Sequence, residues 1–231
     1  MIRRIGGRIR RTLRRAEGRL RMGGGQIAST SPLSTNWGFD RGLPVDRYYV
    51  ERFLDAHSTD IRGRVLEVAE DTYSRRFGGQ NVECQDILSL EPREGATIVG
   101  DLVDPATLGT STYDCIILTQ TLHLIFDLQA AVTQLHRALR PGGVLLLTVP
   151  GITPVDRGDW KDRWHWSLTD GSLRRLLSGP FKPCNAEICV YGNLHAATAF
   201  LHGAAVEELS KRKLDAFDPA YPVTVAARAI A

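Results

Sequence analysis

A helix, a turn and a strand between residues 127 and 151 constrain the fold more than any other part of this sequence. The helical stretch repeats apolar residues at intervals of three and four: Leu128, Ala131, Val132, Leu135 and Leu139. A Pro-Gly-Gly turn at 141–143 ends it, and the run GVLLLTVPG (143–151) follows. A strand that is apolar on both faces is typical of a parallel sheet covered by helices. The unit therefore predicts an α/β fold.

The same alternation extends along the rest of the chain. Six further apolar runs have the length of strands or begin as strands: 64–70, 81–91, 96–102, 113–125, 186–192 and 222–230. Helical spacing marks the segments 44–61, 170–181 and 194–210. We expect a doubly wound, mostly parallel seven-stranded sheet with helices on both faces, as in Rossmann-like folds.

The N-terminus differs sharply from this domain. Residues 1–21 hold nine arginines against one glutamate, and their apolar residues fall on one helical face: Ile2, Ile5, Ile9, Leu13, Ala16 and Leu20. A basic amphipathic helix would bind anionic lipid or an acidic partner, whereas Gly6, Gly7 and Gly18 favour an extension with little order. The glycine- and serine-rich stretch 23–36 is typical of a linker. We therefore expect an extension over 1–36 and an α/β domain over 37–231.

Composition narrows the surroundings in which the protein works. The chain contains no apolar run long enough to span a membrane and no apolar core of a secretory signal. Its four cysteines form no C-x-x-C pair, which favours reduced thiols and no metal site. We expect a cytoplasmic protein, peripheral at the membrane if the arginine-rich tail binds lipid. Nucleic acid is not an expected partner, because no aromatic residue interleaves with the arginines.

Acidic residues recur where the predicted strands end. Ligands of open α/β sheets bind outside the carboxyl ends of the strands. The acids near those ends are Glu67, Glu70, Asp71, Asp86 and Asp101. Such a rim repels a phosphate-rich cofactor and suits one with positive charge and ribose hydroxyls.

Four motifs in this order resemble the class I methyltransferases that use S-adenosylmethionine, in particular their type 11 group. They are VLEVAE at the first strand, GDL after the third, YDCIILTQTLHLI at the fourth, and LHRALRPGGVLLLTVPG. The resemblance covers about residues 60–152. The stretches DRGLPVDRYYVERFL, SLRRLL, AFLHG and YPVTVAARA are similar to a bacterial subgroup found near sugar, polysaccharide or natural-product assembly enzymes.

The chain departs from this family in the turn after the first strand. Type 11 members usually carry E-x-G-x-G-x-G there, and this chain carries E-V-A-E-D-T-Y at 67–73. Each added Cβ reduces the room for a cofactor beside the backbone. Three interpretations remain open. The turn binds the cofactor in an altered way, the fold has lost the cofactor, or the acids are ordinary solvent-facing residues without a role.

The resemblance implies a role in cofactor binding for residues at each strand end. Glu67 would order the turn or reach the cofactor's amine, and Ala69 would line it. Glu70 and Asp71 would point away or accept bonds from the ammonium group. Asp86, or Glu91 in another register, would bind the ribose hydroxyls.

Further cofactor contacts are implied farther along the sheet edge and before it. Asp101 and Leu102 would lie at the adenine, and Thr119 and Gln120 would flank the centre of the cofactor. The helix that carries Arg47, Tyr48 and Tyr49 would close over it as a lid, with Tyr48 as the contact.

Histidines and tryptophans are the candidates for the acceptor side. His123, just beyond the fourth strand, is a candidate base, and His165 is its rival. His123 could instead be structural. Three tryptophans around His165 would form a stacking wall for a sugar or aromatic acceptor, or part of the core: Trp160, Trp164 and Trp166. His195 would face the acceptor from the helix after the sixth strand.

The sequence thus predicts methyl transfer from S-adenosylmethionine to a hydroxyl of a small-molecule acceptor that carries a sugar or resembles a polyketide. Two alternatives remain open. One is an enzyme of the same fold that catalyses a cyclisation or elimination without methyl transfer. The other is a non-catalytic partner protein held at a membrane by its basic tail.

Overall fold

The computed structural model describes residues 29–231, and it consists of one mixed sheet with helices on both faces. The predicted basic helix and the first six residues of the predicted linker, 23–28, lie outside the described residues. The strands are β1 (Gly63–Val68), β2 (Val82–Ser89), β3 (Ile98–Val99), β4 (Tyr113–Thr119), β5 (Leu139–Pro150), β6 (Ala186–Tyr191) and β7 (Thr224–Ile230). The α-helices are α1 (Val45–Ala56), α2 (Leu128–Ala138), α3 (Asp170–Leu177), α4 (Leu194–Leu201) and α5 (Lys211–Leu214).

The sheet has the strand order β3-β2-β1-β4-β5-β7-β6. The pairs β2–β3, β1–β2, β1–β4 and β4–β5 are parallel, whereas β7 runs antiparallel to both β5 and β6. The sheet is therefore mixed rather than wholly parallel, with β7 alone reversed. The carboxyl ends of β1, β4 and β5 lie side by side at one edge of the sheet.

Two cores explain why the apolar runs are continuous. On one face, α2 and α3 bury Leu135 and Leu173 against alternate residues of β4 and β5, such as Ile116 and Leu145. On the other face, α1 buries Phe53 and its neighbours against β1 and β4. Because the central strands are covered on both sides, their side chains are apolar in both directions.

The third strand is much shorter than the seven residues expected at 96–102. Only Ile98–Val99 pairs with β2, since Asp101 accepts a hydrogen bond from the backbone N–H of Val103 (3.1 Å) and turns the chain. The helix predicted over 194–210 also divides, into α4 and a 3-10 turn at Val206–Glu208. Glycine at position 203, with a φ of 68°, allows this break.

A strap of residues 33–44 runs along the end of α4. Leu33 and Ser34 donate backbone hydrogen bonds to the carbonyl of His202 (2.7 and 3.2 Å), so ordered packing begins before Trp37. The buried Arg41 guanidinium donates to both carboxylate oxygens of Glu208 (Nε 3.1 Å and Nη2 2.5 Å). The strap thereby fixes the position of Trp37 and the start of α1. Among residues 29–231, no helix combines the length and apolar character that a membrane span requires.

Replacing Glu208 by Gln tests the strap. The substitution removes the charge of the carboxylate that binds the buried Arg41 guanidinium, so the free energy of unfolding in urea should fall by about 3 kcal/mol. Glu94→Gln, in an exposed loop, is the matched control and should change it by less than about 0.5 kcal/mol. Equal effects of the two variants would show that the ion pair does not hold the strap.

Candidate functional site

The carboxylate of Glu67 organises the turn at the carboxyl end of β1. Glu67 is 3 % exposed, and its two oxygens accept hydrogen bonds from the backbone N–H groups of Tyr73 (3.1 Å) and Ser74 (2.8 Å). Burial raises the pKa of Glu67, and these bonds oppose that rise. Of the two roles expected for Glu67, the structure shows the ordering of the turn.

Ala69 occupies a backbone conformation that normally favours glycine. Its φ is +75°, and its N–H donates to the Leu88 carbonyl of β2 (2.8 Å). In the left-handed region an alanine Cβ crowds the backbone at a cost of about 1 kcal/mol. The turn therefore keeps a glycine-like shape without glycine, and Ala69 lies exposed at the sheet edge.

The two acids that follow bind their own neighbours. Glu70 is exposed and accepts a hydrogen bond from the Thr72 hydroxyl (3.1 Å). Asp71 pairs with Arg75 one helical turn later (2.5 Å). Both acids are therefore engaged locally in this structure.

The chain beyond β4 carries His123, the most deeply buried of the candidates. Thr119 ends β4, and Gln120 takes a left-handed conformation (φ 46°) with its N–H bonded to the Thr148 carbonyl (2.9 Å). The side-chain amide nitrogen of Gln120, Nε2, is buried without a hydrogen-bond partner. His123 is 1 % exposed, and both of its ring nitrogens are also buried without a partner.

His123 is enclosed by an aromatic stack and a positive charge. Its ring meets Trp164 edge to face (4.4 Å between centroids), and Trp164 stacks on Trp37 (5.7 Å). Burial, with a smaller contribution from the Arg47 charge, lowers the pKa of His123 to about 4. His123 is therefore a neutral imidazole at pH 7, with two nitrogens free to bind a ligand.

Helix α1 faces this cluster with residues other than the expected Tyr48. The Tyr48 hydroxyl is engaged as a donor to Asp215 (2.7 Å). Asp46 and Arg47 each have a buried atom without a hydrogen-bond partner, Oδ1 and Nη1. The sequence did contain a sign that Asp46 faces the sheet. Asp46, Val50 and Leu54 follow one another at intervals of four, and Val50 and Leu54 belong to the stripe that packs against the sheet.

Asp86 and Leu102 do not have the free groups that a ligand role requires. Asp86 lies in mid-strand, where one carboxylate oxygen accepts from Arg64 (2.8 Å) and the other from the Thr97 hydroxyl (3.1 Å). It is therefore set back from the carboxyl edge, because β2 continues to Ser89. Leu102 is packed into the core. Asp101 and Glu91 lie exposed near the edge.

The three tryptophans have different environments. Trp164 is half-buried and packs between Trp37 and the buried His123 rather than forming an open wall. Trp160 (47 % exposed) and Trp166 (36 % exposed) face outward. Sequence reasoning missed Phe126, which is 71 % exposed and packs beside Trp166 (5.7 Å) and His165 (5.4 Å). Trp166, Phe126 and His165 thus form a rim of exposed rings.

His165 and His195 occupy different places. The N–H of His165 donates to the His123 carbonyl (3.2 Å), which ties the rim to the buried cluster. His195 lies in the first turn of α4, which follows β6, three strands from β4 in the order of the sheet. Burial, with a smaller contribution from Lys213, lowers its pKa. The structure therefore does not bring His195 together with His123.

A cavity of about 260 Å³ adjoins the stack on the side of the strap. Trp37 stacks on Trp164 and also lines this cavity, together with Ser34, Arg157 and His202. Arg157 lies after β5, so the cavity opens beside the same edge of the sheet.

Replacing Ala69 by Gly tests the strain in the turn. Glycine adopts a positive φ without the Cβ clash, so the free energy of unfolding in urea should rise by up to about 1 kcal/mol. Ala130→Gly, inside α2, should lower it by about 1 kcal/mol. A loss of stability in both variants would contradict a strained turn.

The burial of His123 predicts a pH-dependent stability. Its pKa is lowered from 6.5 to about 4 on folding, so between these values the unfolded chain binds the proton more tightly. Stability should fall as the pH falls through this window. His123→Gln removes this titration, so its loss of stability from pH 7 to 4.5 should be smaller by about 2 kcal/mol. Parallel pH profiles of the two proteins would contradict a buried neutral histidine.

Solved structures share this architecture. A SAM dependent methyltransferase from Archaeoglobus fulgidus superposes with a TM-score of 0.54 at 12 % identity, covering 80 % of this chain and 94 % of that one. The [4+2]-cyclase SpnF gives a TM-score of 0.51 at 15 % identity, covering 78 % and 80 %. At such identities the likeness shows the fold alone.

Sequence comparisons identify relatives over part of the chain. Probable polyketide synthase 7 of Dictyostelium discoideum is 28 % identical over 116 residues, which cover 42 % of this chain. The match spans only 4 % of that synthase's length. A family model described as a methyltransferase domain matches residues 30–180, well over half of the chain. The protein therefore belongs to this methyltransferase-domain family, and its cofactor is S-adenosylmethionine.

Proposed function

We propose that this protein transfers a methyl group from S-adenosylmethionine to a hydroxyl of a small-molecule acceptor that carries a sugar ring or resembles a polyketide. The observation that carries the proposal is a cluster of buried polar atoms without partners beyond β4 and on α1. These atoms belong to Asp46, Arg47, Gln120, His123 and Trp164; Asp46 lies 3.7 Å from Arg47, and the His123 ring lies 4.4 Å from that of Trp164. Buried polar groups are normally hydrogen-bonded, so such a cluster is expected where a ligand binds.

The donor set fits the cofactor. S-adenosylmethionine presents a carboxylate, an ammonium group, ribose hydroxyls and a sulfonium, and the cluster offers both a guanidinium and a carboxylate. The glycine-like turn at Ala69 leaves the β1 end accessible. We infer that Gln120 and Thr119 flank the cofactor and that Asp101 and Glu91 face its nucleoside end.

His123 is the group that we assign to the acceptor proton. When bound, the cofactor supplies an electrophilic methyl group on its sulfonium. The buried imidazole is neutral at pH 7, and either ring nitrogen is able to accept a hydrogen bond from an acceptor hydroxyl. Such a contact would orient the oxygen and receive its proton as the new C–O bond forms.

The rim of exposed rings supports an acceptor with a ring of its own. Phe126 and Trp166 lie side by side, with 33° between their planes, and Trp160 is exposed nearby in sequence. Aromatic faces of this kind stack on the apolar face of a sugar or on a planar polyketide. The similarity to a probable polyketide synthase over 116 residues adds support for an acceptor that resembles a polyketide.

Turnover measurements test this proposal. The full chain is incubated with S-adenosylmethionine and a panel of p-nitrophenyl glycosides and phenolic polyketides, and both S-adenosylhomocysteine and acceptor mass are followed. We expect equal amounts of S-adenosylhomocysteine and of a product heavier by one methylene unit. His123→Gln should lower kcat by about 100-fold, the usual size of acid–base assistance. His136→Gln, on α2, should leave kcat unchanged within about twofold.

Two results would contradict the proposal. An acceptor converted without change of mass and without S-adenosylhomocysteine would indicate cyclisation, the reaction class for which SpnF is named. Methyl transfer that is unaffected by His123→Gln would remove the role assigned to the imidazole.

A further inference from the structure

The start of α1 lies against both halves of the proposed cofactor site. Arg47 influences the pKa of His123 beyond β4 and the pKa of Tyr73 in the turn after β1. Asp46 also influences the pKa of Tyr73, whose backbone N–H binds Glu67. The charges of α1 therefore act on groups beyond β4 and in the turn after β1.

These two residues are an ion pair with unused capacity. Their closest atoms, Arg47 Nη1 and Asp46 Oδ2, are 3.7 Å apart, which is too far for a hydrogen bond. Arg47 Nη1 and Asp46 Oδ1 are buried without a hydrogen-bond partner. The side chains as a whole are 26 % exposed for Arg47 and 13 % exposed for Asp46. The ring of Phe39 lies 5.8 Å from the Arg47 guanidinium carbon and covers it on one side.

A partly buried charge pair with one unsatisfied atom on each partner is costly unless further groups complete it. The missing groups are one acceptor for the guanidinium and one donor for the carboxylate. An α-amino acid carries both, since its carboxylate and ammonium group are attached to one carbon atom. We propose that Arg47 binds the carboxylate and Asp46 the ammonium group of the amino-acid end of S-adenosylmethionine.

This assignment accounts for the altered turn. Asp71, which stands at a glycine position of the family motif, is engaged with Arg75, and its neighbour Glu70 is engaged with Thr72. Asp46 instead has a free, buried oxygen. The acid for the ammonium group thus comes from α1, and the turn has only to leave space. The inference rests on the proposed use of this edge for the cofactor.

Calorimetric binding of three probes tests the inference. S-adenosylhomocysteine has both charged groups, S-adenosyl-3-thiopropylamine lacks the carboxylate, and 5′-methylthioadenosine lacks both. Arg47→Met should weaken S-adenosylhomocysteine by about 30-fold and leave the other two within about threefold. Asp46→Asn should weaken the first two probes by about tenfold and leave 5′-methylthioadenosine unchanged.

Controls separate binding from folding and from the proposed reaction. Arg52→Met, on the same helix but paired with exposed Asp215, should leave all three affinities unchanged. Arg47→Lys keeps the charge without the planar fork and should lie between the wild type and Arg47→Met. A loss that is equal for all three probes would overturn the inference, as would unchanged binding of S-adenosylhomocysteine by Arg47→Met.

The outcomes distinguish this inference from the proposed function. If the wild type binds S-adenosylhomocysteine and Arg47→Met binds it equally well, the inference fails and hydroxyl methylation stands. If the predicted losses are found but no acceptor is methylated, the inference stands and the proposed reaction fails. If the wild type binds none of the three probes at millimolar concentration, both are overturned.

Discussion

The site depends first on the two hydrogen bonds that Glu67 accepts from the backbone of Tyr73 and Ser74. They close the chain into a turn directly after β1, and this closure holds Ala69 at a φ of +75°. Without such an anchor, an alanine would relax to a less crowded conformation. A buried carboxylate therefore does here what glycine does where backbone freedom alone shapes the turn.

A second constraint is the balance of charge at the sheet edge. Nearby arginines neutralise two acids around β1 and β2: Arg64 of β1 pairs with Asp86 of β2, and Arg75 pairs with Asp71 in the turn after β1. The partly unsatisfied groups come instead from α1 and from the chain beyond β4. In our account the cofactor is bound between these two elements, and the exposed rings around Phe126 and Trp166 extend the site toward the acceptor.

Periodicity and strand length were enough to predict the seven-stranded α/β fold, because buried parallel strands and amphipathic helices have distinct patterns. The site was harder to predict. Tyr48 and Asp46 are two positions apart on one helix, and only packing decides which of them faces the sheet. Asp86 was expected near the end of β2 but lies in the middle of the strand, because the register of β2 depends on its pairing with β1. The positions of Trp164 and His195 could not be predicted, because they depend on contacts between distant parts of the chain that sequence spacing does not reveal.

Hydrogen–deuterium exchange of the full chain, with and without S-adenosylhomocysteine, tests most directly whether the cofactor binds between α1 and the ends of β1 and β4. The account predicts slower exchange in three separate segments, 45–48, 68–74 and 119–123, with little change at the remote start of α4. Unchanged exchange in these segments, or protection confined to the strap and residues 154–157, would contradict it.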